Sequence, residues 1–376
     1  MLNLNNMRVI SYYLCFLILF TSVSLHMNAE SSTSEESFRF PILKGKMLLR
    51  GTLSLPTEFK QGDPLLVFVT PPQSNERNYG GLYKALADSL AKNGIATYRY
   101  DNRNFSDSIF LPRDPDRFSM FDAADDLHSA SIALKKDSRF ADSPIGIIGH
   151  SEGGNAAAIE TSRNPTIKFL IVLSTTGTTG ELLAYNQTIS NAEYILDKLP
   201  EQERNFLIYN MYFPANIIAS NSSNKKAEAL LAKTARQAYR EYDDKEKFFG
   251  KKTENEYVDG MLKRWMKPRQ LAVIRYIPEL YYSKIKCPVF IGYGKMDNFF
   301  DPEANLNCLE RIFLHNKKFD YTVLKVDSVD HSFEQTKIKL PFYVSVQRSS
   351  NKPRFGKGFG QLCDSLVKWI ERTKAL

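Results

Sequence analysis

One serine lies in a segment whose residue types favour nucleophilic chemistry, Gly149-His150-Ser151-Glu152-Gly153-Gly154. A serine becomes an exposed nucleophile when it occupies a tight turn between a strand and a helix, and glycines on both sides permit that turn. An apolar run ends directly before this segment, and small residues follow it. We therefore predict that Ser151 is a nucleophile for acyl transfer.

A serine hydroxyl needs a base to accept its proton, and histidine is the usual choice. After residue 29 the chain has four histidines. His150 is expected to point away from the reacting side of the turn, His128 lies within a predicted helix, and His315 lies at a solvated helix end. His331 follows the last predicted strand, where a loop can reach over the strand ends, so His331 is the predicted base.

A carboxylate must orient that base, and the acid is expected between the serine and the histidine in the chain. Asp297 comes just after an apolar strand that begins near Pro288. Asp301 precedes a proline and is typical of a helix N-cap. Asp327 and Asp330 are nearer to His331 in sequence, but neither follows a strand in this way. We predict Asp297 as the acid.

Short apolar strands and amphipathic helices alternate along most of the chain, after a hairpin predicted over Phe38 to Pro56. Unbroken apolar strands in such an alternation predict an α/β fold whose mainly parallel sheet is covered by helices on both faces. The predicted strands are Leu65 to Val69, Ile95 to Tyr100, Ile145 to Gly149, Phe169 to Leu173, Val289 to Tyr293 and Tyr321 to Val326. The predicted helices are Tyr79 to Asn93, Phe118 to Lys136, Gly154 to Arg163, Pro302 to His315 and Phe359 to Arg372.

About a hundred residues, roughly 180–286, interrupt this alternation with helical patterning and many aromatic side chains. A helical block between two sheet strands is interpreted as an inserted cap. We expect most of its aromatics to pack within the cap and a minority to line a pocket where the cap meets the strand ends.

The N-terminus carries an apolar run from Val9 to Leu25, preceded by Arg8 and followed by an acidic stretch. Its length is short for a membrane span and typical of a signal peptide. We predict a signal peptide over residues 1–29, a polar linker over 30–37, and one domain over 38–376. The exported protein would then have no stable membrane span; an uncleaved N-terminal anchor is the alternative.

The composition excludes several classes of protein. The 376 residues carry a net charge of +8, and 43% of them are hydrophobic, which is close to globular averages and unlike disordered chains. The basic residues are spread along the chain without a nucleic-acid-binding motif, so no nucleic-acid partner is expected. No metal-ligand cluster, P-loop or dinucleotide fingerprint occurs, so neither a metal nor a cofactor is predicted.

From about Phe38 onward, the chain resembles serine α/β-hydrolases of the exported, prolyl-oligopeptidase-like and dienelactone-hydrolase-like esterase group. The segments that carry the resemblance are Arg99 to Arg103, Gly149 to Gly154, Ile285 to Val289, Gly294 to Asp297 and Asp330 to Gln335. The resemblance implies an oxyanion hole formed by the Glu152 amide and an amide of the loop after the strand Leu65 to Val69. Prolines occupy positions 71 and 72 of that loop and have no N–H, so the Gln73 amide is the predicted second donor, with the side chain of Thr70 or Gln73 as the alternative.

The leading hypothesis is an exported serine hydrolase that cleaves a carboxylic ester through an acyl-enzyme. A peptidase or aminopeptidase on the same fold is the second hypothesis, and the Glu152 carboxylate could then bind a cationic substrate group. A non-catalytic binding protein with a degraded oxyanion hole is the third. The expected ligand is therefore a small ester or a short peptide, and the sequence does not set the oligomeric state.

Overall fold

The computed structural model of the chain describes residues 33–73, 76–105, 116–195, 199–315, 317, 320–339 and 354–374. The predicted signal peptide, residues 1–29, lies outside the described residues. The strands are β1 (Thr33–Ile42), β2 (Met47–Pro56), β3 (Leu65–Val69), β4 (Ala96–Tyr100), β5 (Ile145–His150), β6 (Ile167–Leu173), β7 (Val289–Gly294) and β8 (Tyr321–Val326). They form one sheet in the order β1-β2-β4-β3-β5-β6-β7-β8.

The sheet is antiparallel at one end and parallel through the rest. β1 pairs with β2, and β2 with β4, in antiparallel fashion. All pairs from β4 through β3, β5, β6 and β7 to β8 are parallel. β3 and β5 are fully buried along their length, as expected for parallel strands covered on both faces.

Helices cover both faces of this sheet. The helices outside the β6–β7 interval are α1 (Leu82–Lys92), α2 (Met120–Lys136), α3 (Glu152–Arg163), α12 (Pro302–Leu314) and α13 (Lys357–Lys374). One buried apolar cluster joins the sheet to α2, α3 and α12. A second joins the opposite face to α1 and α13. The predicted α/β fold with a mainly parallel sheet is confirmed.

The segment between β6 and β7 is helical and is called the cap below. It comprises α4 (Gly180–Ile195), α5 (Glu201–Met211), α6 (Phe213–Ala219), α7 (Asn224–Glu241), α8 (Lys245–Phe249), α9 (Glu254–Trp265), α10 (Pro268–Ile274) and α11 (Glu279–Tyr282). A third apolar cluster, which includes Ile218, Leu231, Tyr257 and Trp265, lies within the cap. Aromatic packing inside the cap therefore accounts for part of its aromatic content.

The predicted linker over residues 30–37 is wrong from Thr33 onward, because β1 begins there and pairs with β2 as far as Pro56. The polar side chains are compatible with a strand since the pairing uses backbone groups at the edge of the sheet. Glu35 also gains a partner: its carboxylate accepts from the buried Arg99 guanidinium at 2.7 Å. The acidic residues Glu35 and Glu36 are thus part of the sheet.

Candidate active site

Ser151 occupies a strained turn between β5 and α3. Its φ of 56° and ψ of −130° lie in a region that costs a residue other than glycine roughly 1–3 kcal/mol. The glycines around it are required by close packing. A Cβ on Gly149 would lie 2.3 Å from the Gly153 carbonyl oxygen, and one on Gly153 would lie 2.4 Å from the Val69 carbonyl oxygen. The turn therefore holds the serine and seats the start of α3 against the end of β3.

Asp297 is completely buried in the loop after β7, and its two carboxylate oxygens have different partners. Oδ1 accepts from the backbone amides of Phe299 at 2.9 Å and Phe300 at 3.0 Å. Oδ2 lies 2.9 Å from His331 Nδ1. One oxygen thus fixes the carboxylate to its own loop, and the other is directed at the imidazole.

His331 lies in the loop after β8, and aromatic rings pack around its imidazole. Phe299 stacks on it with ring centroids 4.5 Å apart, and Phe300 packs edge-on at 5.1 Å. With Nδ1 bonded to Asp297, the ring is restrained and Nε2 is the nitrogen left for proton transfer. Ser151 Oγ and His331 make no hydrogen bond to each other within the described ranges. Such bonds often become short only when substrate binds.

His150 is not the predicted base, but its side chain contacts the loop that carries His331. Its Nε2 lies 2.6 Å from the backbone oxygen of His331, and the two imidazoles are 4.7 Å apart. Burial, reinforced by the nearby His331, lowers the pKa of His150 to about 3. A neutral imidazole donates from Nε2 to that carbonyl and can accept the Tyr79 hydroxyl at Nδ1, 3.3 Å away. The side chain predicted to point away from the reacting side therefore supports the loop of the predicted base.

The loop after β3 is held through its carbonyl groups. Asn102 Nδ2 donates to the Pro71 oxygen at 2.9 Å and also to the Gln73 oxygen. Asn104 Nδ2 donates to the Pro72 oxygen at 2.8 Å. Sequence reasoning missed this role of the two asparagines. The only signal was their place just after β4, the strand beside β3.

The two predicted oxyanion donors are in different elements. The Glu152 amide begins α3, and the Gln73 amide belongs to the loop after β3. In the part of the chain that the structure describes, neither of these two amides donates to a protein acceptor. Unpaired N–H groups at a helix start and a neighbouring loop are suited to bind an oxyanion.

The side chains of the same two residues meet one arginine of the cap. Arg269, on α10, donates to Glu152 Oε2 from Nε at 3.0 Å and from Nη2 at 2.6 Å. With the Gln73 amide oriented so that its oxygen faces the guanidinium, that oxygen accepts from Nη1 at 3.3 Å and from Nη2. Burial raises the pKa of Glu152, and the charge of Arg269 opposes that rise. The carboxylate considered for a cationic substrate group is thus already paired with a protein cation.

The competing residues have other partners. Asp301 caps α12 by accepting from the Ala304 amide at 2.8 Å. Asp327 pairs with Lys295 at the surface, and Asp330 accepts from amides of its own loop. His128 Nδ1 lies 2.7 Å from Glu160, and His315 bonds to the Arg311 carbonyl on α12.

The residues described contain neither a candidate metal site nor a candidate membrane span. No group of three or more His, Cys, Asp or Glu side chains in those ranges could hold a metal ion. No helix within the same ranges is both long and apolar enough to cross a membrane.

Comparisons with solved structures agree with the fold. A proline iminopeptidase from Mycobacterium smegmatis superposes with a TM-score of 0.51 at 15% identity, over 90% of this chain and 99% of that one. The α/β-hydrolase GrgF from Penicillium gives a TM-score of 0.51 at 14% identity, over 91% and 100%. A dienelactone hydrolase from Anabaena variabilis gives 0.49 at 13% identity, over 90% and 98%. At these identities, the likeness to the proline iminopeptidase and to GrgF establishes the fold alone.

Among curated proteins no match was found. A family model does match: the one described as serine aminopeptidase, S33, covers residues 77–323, which is more than half of the chain. The chain belongs to this family of serine α/β-hydrolases.

Proposed function

We propose that the protein hydrolyses carboxylic esters through an acyl-enzyme formed on Ser151. The observation that carries the proposal is the buried Asp297–His331 pair, 2.9 Å apart, at the sheet edge where the strained Ser151 turn also lies. Ser151 Oγ attacks the ester carbonyl while His331 Nε2 takes its proton. The imidazolium then protonates the departing alcohol. In the second stage His331 takes a proton from a water molecule, which attacks the acyl carbonyl, and returns it to Ser151 Oγ as the acid leaves.

The oxyanion of each tetrahedral intermediate would bind the amides of Glu152 and Gln73. Donors of this kind stabilise the negative charge that develops on the carbonyl oxygen, and one such donor contributes about 10²–10³-fold to the rate. Asp297 would hold the imidazole in the tautomer that accepts a proton at Nε2. These assignments give each predicted site residue a separate role.

An ester is favoured over a peptide because of the pairing of Glu152. Under the aminopeptidase hypothesis Glu152 binds the substrate's amino terminus, but its carboxylate is buried and Oε2 is already bonded twice to Arg269. We also propose that residues 1–29 are a signal peptide and that the hydrolase domain is exported. N-terminal sequencing of the protein recovered outside the cytoplasm of its own host tests this: a start at Met1 would contradict it.

The experiment compares p-nitrophenyl esters of increasing acyl length with amino-acid p-nitroanilides. We expect turnover of esters, labelling by a fluorophosphonate, and loss of both in Ser151→Ala. Ser332→Ala, an exposed serine beside His331, is the matched control and should keep both. Equal labelling of wild type and Ser151→Ala would refute the nucleophile. Turnover of p-nitroanilides without turnover of esters would instead assign a peptidase.

A further inference from the structure

Arg269 is the point at which the cap contacts both halves of the proposed oxyanion hole. Its guanidinium binds the side chains of Glu152 and Gln73, and the backbone amides of those same two residues are the proposed donors. Glu152 lies on the core helix α3 and Gln73 on the loop after β3, so a single cap side chain joins two core elements. An arginine fork suits this task because its donors have a fixed planar geometry.

The arginine is itself anchored to the core. Its backbone amide donates to the Asp116 carbonyl at 3.1 Å, and the neighbouring Lys267 binds the Asp116 carboxylate at 2.5 Å. The start of α10 is therefore docked on the segment before α2. Arg269 projects from this docked end, with four fifths of its side chain buried.

Electrostatics also stabilise the ion pair between Arg269 and Glu152. Glu152 is 7% exposed, and its second oxygen, Oε1, has no hydrogen-bond partner within the described ranges. A buried carboxylate in this state depends on its cationic partner, Arg269, because loss of one partner leaves an uncompensated buried charge. Displacement of Arg269 would disturb Glu152, whose amide is one of the proposed donors.

We infer that Arg269 is a positioning residue for the oxyanion hole, through which docking of α10 sets the spacing of the Glu152 and Gln73 amides. The inference rests on the proposed function. On this inference, the two amides have the spacing that binds an oxyanion only when α10 is docked on the core. Substrates whose size prevents that docking would bind but react slowly.

The test compares steady-state hydrolysis of p-nitrophenyl acetate by wild type, Arg269→Lys and Arg269→Gln. We expect Arg269→Gln to lower kcat by about 10–100-fold with KM changed by less than about threefold, since the lost contact acts on the transition state. Arg269→Lys keeps the charge but loses the planar fork of donors, so its kcat should lie between that of wild type and that of Arg269→Gln. The matched control is Arg275→Gln, because Arg275 directly follows the same helix and, among the described residues, its side chain donates to cap residues alone: Ile218, Asn221 and Asn224.

Two further measurements separate positioning from general damage. An aliphatic trifluoromethyl ketone adds to the serine and places an oxyanion in the hole, so its Ki should rise by the factor by which kcat/KM falls. The variant Arg269→Gln/Glu152→Gln removes both charges, which protects folding. The fold decrease in kcat of this double variant should equal that of Arg269→Gln and not the product of the decreases of the two single variants, because the residues act through one contact.

The outcomes distinguish the two proposals. If turnover depends on Ser151 and Arg269→Gln leaves kcat and Ki within about twofold of wild type, the role of Arg269 is refuted alone. A rise in KM shared equally by Arg269→Gln and Arg275→Gln would also refute it, because a loosened cap would then explain both. Turnover that survives Ser151→Ala would overturn the proposed function and this inference together.

Discussion

The two halves of the candidate site are held in different ways. In the acid–base half, backbone bonds join the loop after β7 to the end of β8 and to the loop that follows it: Lys295 donates to the Val326 oxygen at 2.8 Å and Met296 to the Val329 oxygen at 3.0 Å. In the oxyanion half, side chains hold the loop after β3, with Asn102 on its carbonyls and Arg269 on Gln73. The first half continues the sheet, whereas the second depends on tertiary contacts.

This difference teaches which half can respond to a ligand. Gly294 shows how tightly the acid–base half is packed, since a Cβ there would lie 2.5 Å from the Val329 and Asp330 carbonyl oxygens. The cap reaches that half through a bond from Gln187 Nε2 to the Phe299 carbonyl oxygen at 3.1 Å, which lies two residues beyond the acid. The oxyanion half has a cap residue at its centre, so movement of the cap should alter donor geometry and leave the Asp297–His331 pair intact.

The largest fall in kcat is expected from a substitution in the acid–base half. Asp297→Asn should lower kcat by about 10³–10⁴-fold, because an amide in place of the carboxylate favours the wrong imidazole tautomer and no longer stabilises the imidazolium. KM should change little, since Asp297 is buried behind His331 and does not contact substrate. Steady-state kinetics with p-nitrophenyl acetate measure both constants.

The control for that variant is Asp301→Asn, which alters a helix cap four residues away and retains a side-chain oxygen for the Ala304 amide. Its kcat should stay within about threefold of wild type. If Asp301→Asn proves the more damaging of the two, the assignment of the acid is wrong.

A smaller effect is expected in the oxyanion half. Asn102→Ala removes the donor that holds the Pro71 and Gln73 carbonyls, so the loop should drift and kcat should fall by about 10–100-fold. Asn164→Ala is the matched control, because Asn164 is also buried and hydrogen-bonded, to Glu160 and Thr166, but lies at the opposite edge of the sheet before β6. Thermal unfolding should show similar losses of stability for both variants.

A fall in kcat confined to Asn102→Ala would support the comparison between the halves. Equal falls in kcat in the two asparagine variants would mean that a general loss of stability explains the effect, and that the bonds of Asn102 to the loop after β3 do not position the oxyanion donor.

The same division explains what the sequence could predict. Ser151, Asp297 and His331 could be predicted because each follows a strand, and parallel strands bring their carboxyl ends to one edge of a sheet. The roles of Asn102 and Arg269 could not, because they depend on which elements meet in the fold: Asn102 binds carbonyls 29 and 31 residues away, and Arg269 binds a carboxylate 117 residues away. The predicted linker failed for a related reason: Glu35 pairs with Arg99 across a sheet that no local pattern reveals.

The smallest expected effect on rate concerns His150, yet its effect on stability has a definite pH dependence. Folding lowers the pKa of His150 from 6.5 to about 3, so between those values the unfolded chain binds a proton that the folded protein does not. The free energy of unfolding should therefore decrease as pH falls from about 6.5 toward 3, by about 1.4 kcal/mol per pH unit from this group. His150→Gln removes the titration and keeps an N–H donor for the His331 carbonyl.

Urea unfolding from about pH 4 to about pH 6.5 should give a shallower slope for His150→Gln than for wild type, and kcat should stay within about fivefold. His150→Phe also removes the titration but offers no donor, so it should share the shallower slope and lose more activity. If both variants keep the wild-type slope, His150 is not held neutral by burial. If His150→Phe keeps full activity, the bond to the His331 carbonyl does not position the base, and the acid–base half is held by its loops alone.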